Sequence, residues 1–157
     1  MGGRSAAASK GVPEVAYWLM KTEPEEFSYD DLERKSPEVW DGVRNTVAAR
    51  HLRAMKPGDL FLFYHTGDER AIVGVGRIVS EPYPDPTAPE GNWVAVDVAP
   101  AYRFRSPVTL AAIKADPRFA DWALVRQPRL SVMPVTPEQW AWLHALGQTD
   151  TLWSPVD

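Results

Sequence analysis

LFLFYHTGDERAIVGVGRIV, residues 60–79, restricts the fold more than any other stretch of this chain. Two apolar runs flank the short polar link GDER, which reads as a β-hairpin. Gly74 and Gly76 lie two apart in the second run and so on one face of it. Glycine there signals a bulge, a tight bend or another group pressed close. A central antiparallel hairpin is incompatible with an all-helical fold and breaks the regular strand–helix alternation of a parallel α/β sheet.

The remaining elements fit around this hairpin. VAYWLMK (15–21) is a short apolar run that fits a buried strand, and Pro24 ends it. Ser28 stands as an N-cap with Asp31 three residues on, predicting a short helix over 29–35. SPEVW reads as a connector. NTVAARHLRAM places Val47, Leu52 and Met55 on one helical face and Arg50 and Arg53 on another. EPYPDPTAPEG holds four prolines in eleven residues and reads as a loop; NWVAVDVAPAYRFR alternates as a strand. SPVTLAAIKADPRF holds a short helix starting near Thr109, and RLSVMPV (129–135) is a last strand. Thr136, Pro137 and Gln139 then open a final helix as N-cap, N1 proline and capping-box partner, closed by Gly147. Trp18 and Trp140 read as core. The expected class is α+β: a small curved β-barrel of five to six mostly antiparallel strands with about four short helices.

At 157 residues the chain reads as one domain over 14–148, with a disordered tail over 1–13 and a short tail over 149–157. It has no cysteine, which excludes disulfides, thiolate zinc sites and a cysteine nucleophile. There is no 18-residue apolar run and no signal peptide, so no membrane partner is expected and the cytoplasm is the expected compartment. His51, His65 and His144 lack ligand spacing, so no metal and no cofactor are expected, and no GxSxG, P-loop or GxGxxG motif occurs. A net charge of −4 argues against a non-specific polyanion binder, yet permits a small site that takes one extruded base. No assembly motif is visible, and a monomer is expected.

One segment departs from that acidity. Arg44, Arg50, Arg53 and Lys56 carry positive charge with no acid between them, whereas Glu23 to Asp41 holds eight acids. Each candidate residue has a plain reading beside a functional one. Lys21 and Thr22 either turn a strand end polar or stand at a barrel mouth where they can read a base edge. Trp40, in VWDGVRN, either packs in the core or walls a pocket and stacks on a planar ligand, with Tyr29 as a second wall. Asn45 is a helix cap or a contact in the same loop as Asp41, Gly42, Val43 and Arg44. Arg44 pairs with a nearby acid or joins Arg50 and Arg53 in holding phosphates. Tyr64, His65 and Thr66 end a strand as hydrogen-bonding groups. Arg129 and Ser131 reach the same space if their strand closes the barrel.

Together, YWLMKTEPEEFSYDDL, VWDGVRNTVAARHLRAMKPGD, LFLFYHT, IVGVGRIV and RLSVMPVT, in that order, resemble the EVE domain over about residues 16–146. The resemblance implies a PUA-like fold related to YTH domains, which hold a methylated adenine in an aromatic cage. Lys21-Thr22 resembles the lysine–serine pair of that group, and Trp40 resembles its first cage tryptophan. It further implies a partner of modified DNA or RNA, chiefly modified cytosine. Tyr29 and Thr66 stand where the family pattern has tryptophan and serine, which leaves the particular modification open. The expected function is a non-catalytic reader. It takes a flipped base on Lys21, Thr22, Tyr29, Trp40, Asp41, Gly42, Val43, Arg44, Asn45, Tyr64, His65, Arg129 and Ser131, with Arg50 and Arg53 on phosphates. The alternative is an enzyme acting on a nucleotide or small planar metabolite in the same pocket.

Overall fold

The computed structural model describes residues 15–150. The tail expected over 1–13 lies outside the described residues, as do residues 151–157 of the C-terminal one. Thr149 belongs to the folded part, because its hydroxyl accepts the Arg105 amide (2.9 Å).

The hairpin forms as its pattern requires. β3 (Leu60–His65) is buried along its whole length and pairs antiparallel with β4 (Ala71–Ile78). β1 (Tyr17–Thr22) lies parallel to β3, with Thr22 beside His65, and antiparallel to β7 (Val132–Val135). On the other side β4 pairs with the 16-residue β6 (Val94–Thr109), which also takes β2 (Glu38–Trp40) and β5 (Tyr83–Pro84). The order is β2-β6-β4-β3-β1-β7, with β5 beside β6. The α+β, mostly antiparallel expectation therefore holds, with β1–β3 as the parallel exception. Two short strands correct the reading of their segments: β2 lies in the expected connector, and β5 in the proline-rich loop.

Curvature comes from irregular pairing. The β4–β6 register shifts between Ile72 and Gly74 and again between Val75 and Gly76, and such bulges bend and twist a sheet. At Gly74 an added Cβ would lie 2.8 Å from the Tyr102 carbonyl oxygen and 3.0 Å from the Tyr29 ring; at Gly76 it would enter the Phe61 ring. Both glycines are thus required by close approach, as their shared face suggested.

The helices start where local chemistry places them. α1 (Tyr29–Lys35) has the reciprocal Ser28–Asp31 capping box and buries Tyr29 and Leu32. α2 (Thr46–Arg53) is capped by Asn45, buries Ala48, Ala49 and Leu52, and packs against β6 and β7. α3 (Leu110–Lys114) starts at Thr109, and α4 (Ala123–Arg126) was not legible in the sequence. α5 (Pro137–Leu146) has the Thr136–Gln139 box and ends at Gly147. Trp18 and Trp140 are buried as expected, the latter stacked on Tyr17 at 4.2 Å. Among the described residues no helix is long and apolar enough to cross a membrane, and no group of three or more His, Asp or Glu is placed to hold a metal.

Candidate nucleic-acid interface

Because β1 and β3 run parallel, their C-terminal ends open on the same side of the sheet. The polar ends Lys21-Thr22 and Thr66, the segment Glu23–Phe27, β2 with the loop after it, and residues 128–131 before β7 all converge there. They enclose a cavity of about 730 Å³, within the range of small-molecule sites.

Of the expected residues, Lys21, Thr22, Trp40, Asp41, Gly42, Val43, Arg44, Asn45, Arg129 and Ser131 line this cavity. Tyr29, Tyr64, His65, Arg50 and Arg53 do not line it, and the structure gives each exclusion a reason. Tyr29 is the first residue of α1 and points inward: it is fully buried, its hydroxyl donates to the Val75 carbonyl (2.8 Å), and the Arg103 guanidinium covers its ring at 4.9 Å. It is therefore not a second wall. His65 turns toward α1, where its Nε2 accepts the Tyr29 amide (3.1 Å). That bond requires the lone pair on Nε2, so the proton sits on Nδ1 and is donated to Glu69 (2.7 Å). Tyr64 lies beneath the Lys21 ammonium, 5.6 Å from its ring centroid. Arg53 donates to the Asn92 carbonyl, and Arg50 is exposed on α2.

Trp40 takes the core place of its plain reading and also borders the cavity. The residue is 5% exposed and sits in the core, edge-to-face with Phe61 and Phe63, yet the cavity lies beside it. The half-buried Phe27 meets Trp40 at 5.6 Å and 71°, so two rings near right angles form a corner in the cavity wall. Phe27 was missed in the sequence because it sits in an irregular link, TEPEEFS, where no periodicity marks a face.

The loop after Trp40 is fastened from behind by Asp85, a residue hidden in the proline-rich loop. Its side chain is fully buried and accepts from the Gly42 amide (2.8 Å), Arg44 Nη1 (2.9 Å), the Thr87 amide (2.7 Å) and the Thr87 hydroxyl (2.6 Å). Burial alone would raise its pKa. The hydrogen bonds from Thr87, Gly42 and Arg44 outweigh burial and hold the carboxyl well below the usual carboxylate range. Gly42 completes the turn at φ +80°, where any Cβ is disfavoured.

The charge around the cavity corrects the expected positive face. Lys21, Lys35, Arg44 and Arg129 line it together with Glu23, Glu26, Glu38 and Asp41, so the lining is balanced in charge. Arg44 is spent on Asp85. Lys21 donates to the Pro128 carbonyl (3.0 Å), and its pKa is lowered by burial. Asn45 is the helix cap of the plain reading, with Oδ1 on the Ala48 amide, but it still lines the cavity.

The EVE domain model matches residues 16–146 of this chain. Human thymocyte nuclear protein 1 is 32% identical over 169 residues, covering 86% of this chain and 75% of that protein. The NMR structure of a Rhodopseudomonas palustris protein superimposes with a TM-score of 0.81 at 46% identity, covering 85% of this chain and 94% of that one. The crystal structure of human THYN1 protein in complex with 5-methylcytosine containing DNA superimposes with a TM-score of 0.79 at 32% identity, covering 86% and 99%. The cavity thus opens in a chain that belongs to the EVE domain family.

Proposed function

We propose that this chain reads a modified cytosine of DNA, held outside its stack in the cavity beside Trp40. The observation that carries the reading is the Phe27–Trp40 corner bordering a cavity of about 730 Å³. A base lying flat on one ring meets the edge of the other, the offset and edge-to-face arrangement that aromatic rings favour. The solved relative in complex with 5-methylcytosine containing DNA supports cytosine and DNA as the substrate class.

The energies are compatible. Extruding a base costs a few kcal/mol. Stacking returns roughly 1–3 kcal/mol per base, and polar groups of Thr22, Asn45 and Ser131 at the lining add contacts to the base edge. The flanking phosphates meet Arg129 and Lys35, lining cations that make no ion pair among the described residues, rather than Arg50 and Arg53. The role is binding without catalysis, by a single copy, wherever nucleic acid is reached without crossing a membrane, the cytoplasm in our reading. The three histidines point elsewhere: His51 tilts against Trp18, His65 bonds Tyr29 and Glu69, and His144 bonds Tyr102 and Trp140.

The test is titration of single-stranded and duplex DNA, and of matching RNA, with and without 5-methylcytosine. Phe27→Ala is the informative variant, because Trp40→Ala would empty a core site and cost about 3–5 kcal/mol of stability. The expected result is tighter binding of the methylated DNA and about a tenfold loss in Phe27→Ala. Equal binding of all oligonucleotides by both proteins would end the reading.

A further inference from the structure

Four carboxylates line the cavity, and they are not equivalent. Glu23 and Glu26 are exposed on the link after β1, on long side chains. Glu38 is turned back on its own strand, where Oε1 accepts the Val39 amide (3.3 Å). Asp41 is different. It follows Trp40 directly and precedes Gly42, whose amide is fastened to buried Asp85. Its side chain is short, so its carboxyl group stays close to a backbone position that is itself held. The nearest cation in the loop, Arg44, is held by Asp85 and Thr87, and Asp41 makes no ion pair among the described residues.

From this placement we infer that Asp41 is the specificity-determining residue of the cavity, accepting the exocyclic 4-amino group of the captured cytosine. The inference rests on the reading of the cavity as a base pocket. An aromatic corner grips any flat ring and cannot by itself tell cytosine from thymine. 5-Methylcytosine and thymine have the same outline, methyl group included, and differ at position 4 and in the proton on the neighbouring ring nitrogen. Cytosine offers an amino donor at position 4, and thymine a carbonyl acceptor. A carboxylate in no ion pair keeps lone pairs that reward the first and repel the second. Carboxylate acceptance from the cytosine amino group is a recurrent way of recognising this base.

Partial desolvation at the rim, and then the charge of Asp85, push the Asp41 carboxyl upward, outweighing a hydrogen bond from its own backbone and the attraction of Arg44. Asp85 therefore bears on the site twice, by holding the loop through the Gly42 amide and by engaging Arg44, the cation of that loop, in a direct ion pair.

The experiment compares single-stranded oligonucleotides carrying one 5-methylcytosine, one thymine or one plain cytosine at the same place, against the full chain and the variants Asp41→Asn and Asp41→Glu. Asp41 is exposed, so neither substitution threatens folding. The wild type is expected to hold 5-methylcytosine over thymine by about tenfold or more. Asn can donate as well as accept, so Asp41→Asn collapses that ratio to less than about threefold, while Asp41→Glu restores part of it. Equal binding of 5-methylcytosine and thymine by the wild type, or an undiminished ratio in Asp41→Asn, overturns the inference. Equal binding of 5-methylcytosine and plain cytosine strikes the modified-base reading alone, because Asp41 is judged by the gap to thymine.

Discussion

Residues 40–44 and residues 128–131 both line the cavity, and they are held in place by opposite means. The first wall is anchored at both ends. Trp40 is locked among Phe61 and Phe63, and the Gly42–Arg44 turn is bonded to the buried carboxylate of Asp85. The second wall is exposed from Gln127 to Arg129 and is tied to β1 by the Lys21 ammonium on the Pro128 carbonyl and by the Lys21 amide on the Ser131 carbonyl (2.9 Å). Shape recognition belongs on the rigid side, since a preformed wall loses little entropy when a ligand arrives. On the proposed reading, adaptation to the strand around the base belongs on the other.

Removing Asp85 attacks the rigid wall and should have the largest effect. Asp85→Ala leaves the Gly42 and Thr87 donors without their acceptor. A loss of about 3 kcal/mol is expected in urea unfolding, at the low end for breaking a buried pair because Arg44 is partly exposed and can turn to water. The pH dependence carries the same signature. The Asp85 carboxyl titrates lower in the folded chain than in the unfolded one, so the unfolded state binds more protons as acid is added. Its contribution is complete above the ordinary aspartate value of about 3.9 and is lost as pH falls from there toward the folded value. Melting temperature measured from pH 5 to pH 2 should fall more steeply in the wild type than in Asp85→Asn. Parallel curves would mean that the latch contributes little.

The turn itself offers a smaller and cleaner probe. A Cβ added at Gly42 points into open space, so Gly42→Ala meets no neighbour and costs only its backbone conformation, about 1 kcal/mol. If the turn and the carboxylate act as a unit, Gly42→Ala in the Asp85→Ala background should cost less than half as much as alone. Additive losses in the double variant would separate the two.

How far these parts could be read beforehand follows from how local their signals are. The capping boxes Ser28–Asp31 and Thr136–Gln139 are complete within four residues, and both were legible. The hairpin glycines were legible as a close approach: Phe61, which meets Gly76, lies in the same hairpin, although Tyr29 and Tyr102, which meet Gly74, lie elsewhere in the chain. Trp40 stood out because a tryptophan between Pro37 and Gly42 fits no periodic face. Asp85 left no trace of its hold on the wall, since Gly42 and Arg44 are 43 and 41 residues away and only Thr87 is a local partner. Tyr29 was misplaced for a related reason. The start of α1 is local information, but the direction in which its first residue points depends on β4, whose Val75 carbonyl and Gly74 receive it.

Lys21 tests the adaptable wall, and the smallest stability change is expected there. Its ammonium donates one bond to Pro128, worth about 1 kcal/mol net, but burial makes the charge costly, which is why its pKa is lowered. The two effects oppose each other, so Lys21→Met should shift stability by less than about 1 kcal/mol. The sign of the residual is readable at high pH. The folded chain gives up this proton more easily than the unfolded one, so wild-type stability gains from Lys21 as pH rises toward the ordinary lysine value near 10.4, and the variant lacks that gain. Where stability is silent, motion should speak: exchange of the Leu130 amide, which donates to the Gln127 carbonyl (3.0 Å), should quicken in Lys21→Met while that of the Gly42 amide stays as in the wild type. Faster exchange on both walls together would show that they are one cooperative unit, and the division between a rigid side and an adaptable side would then fail.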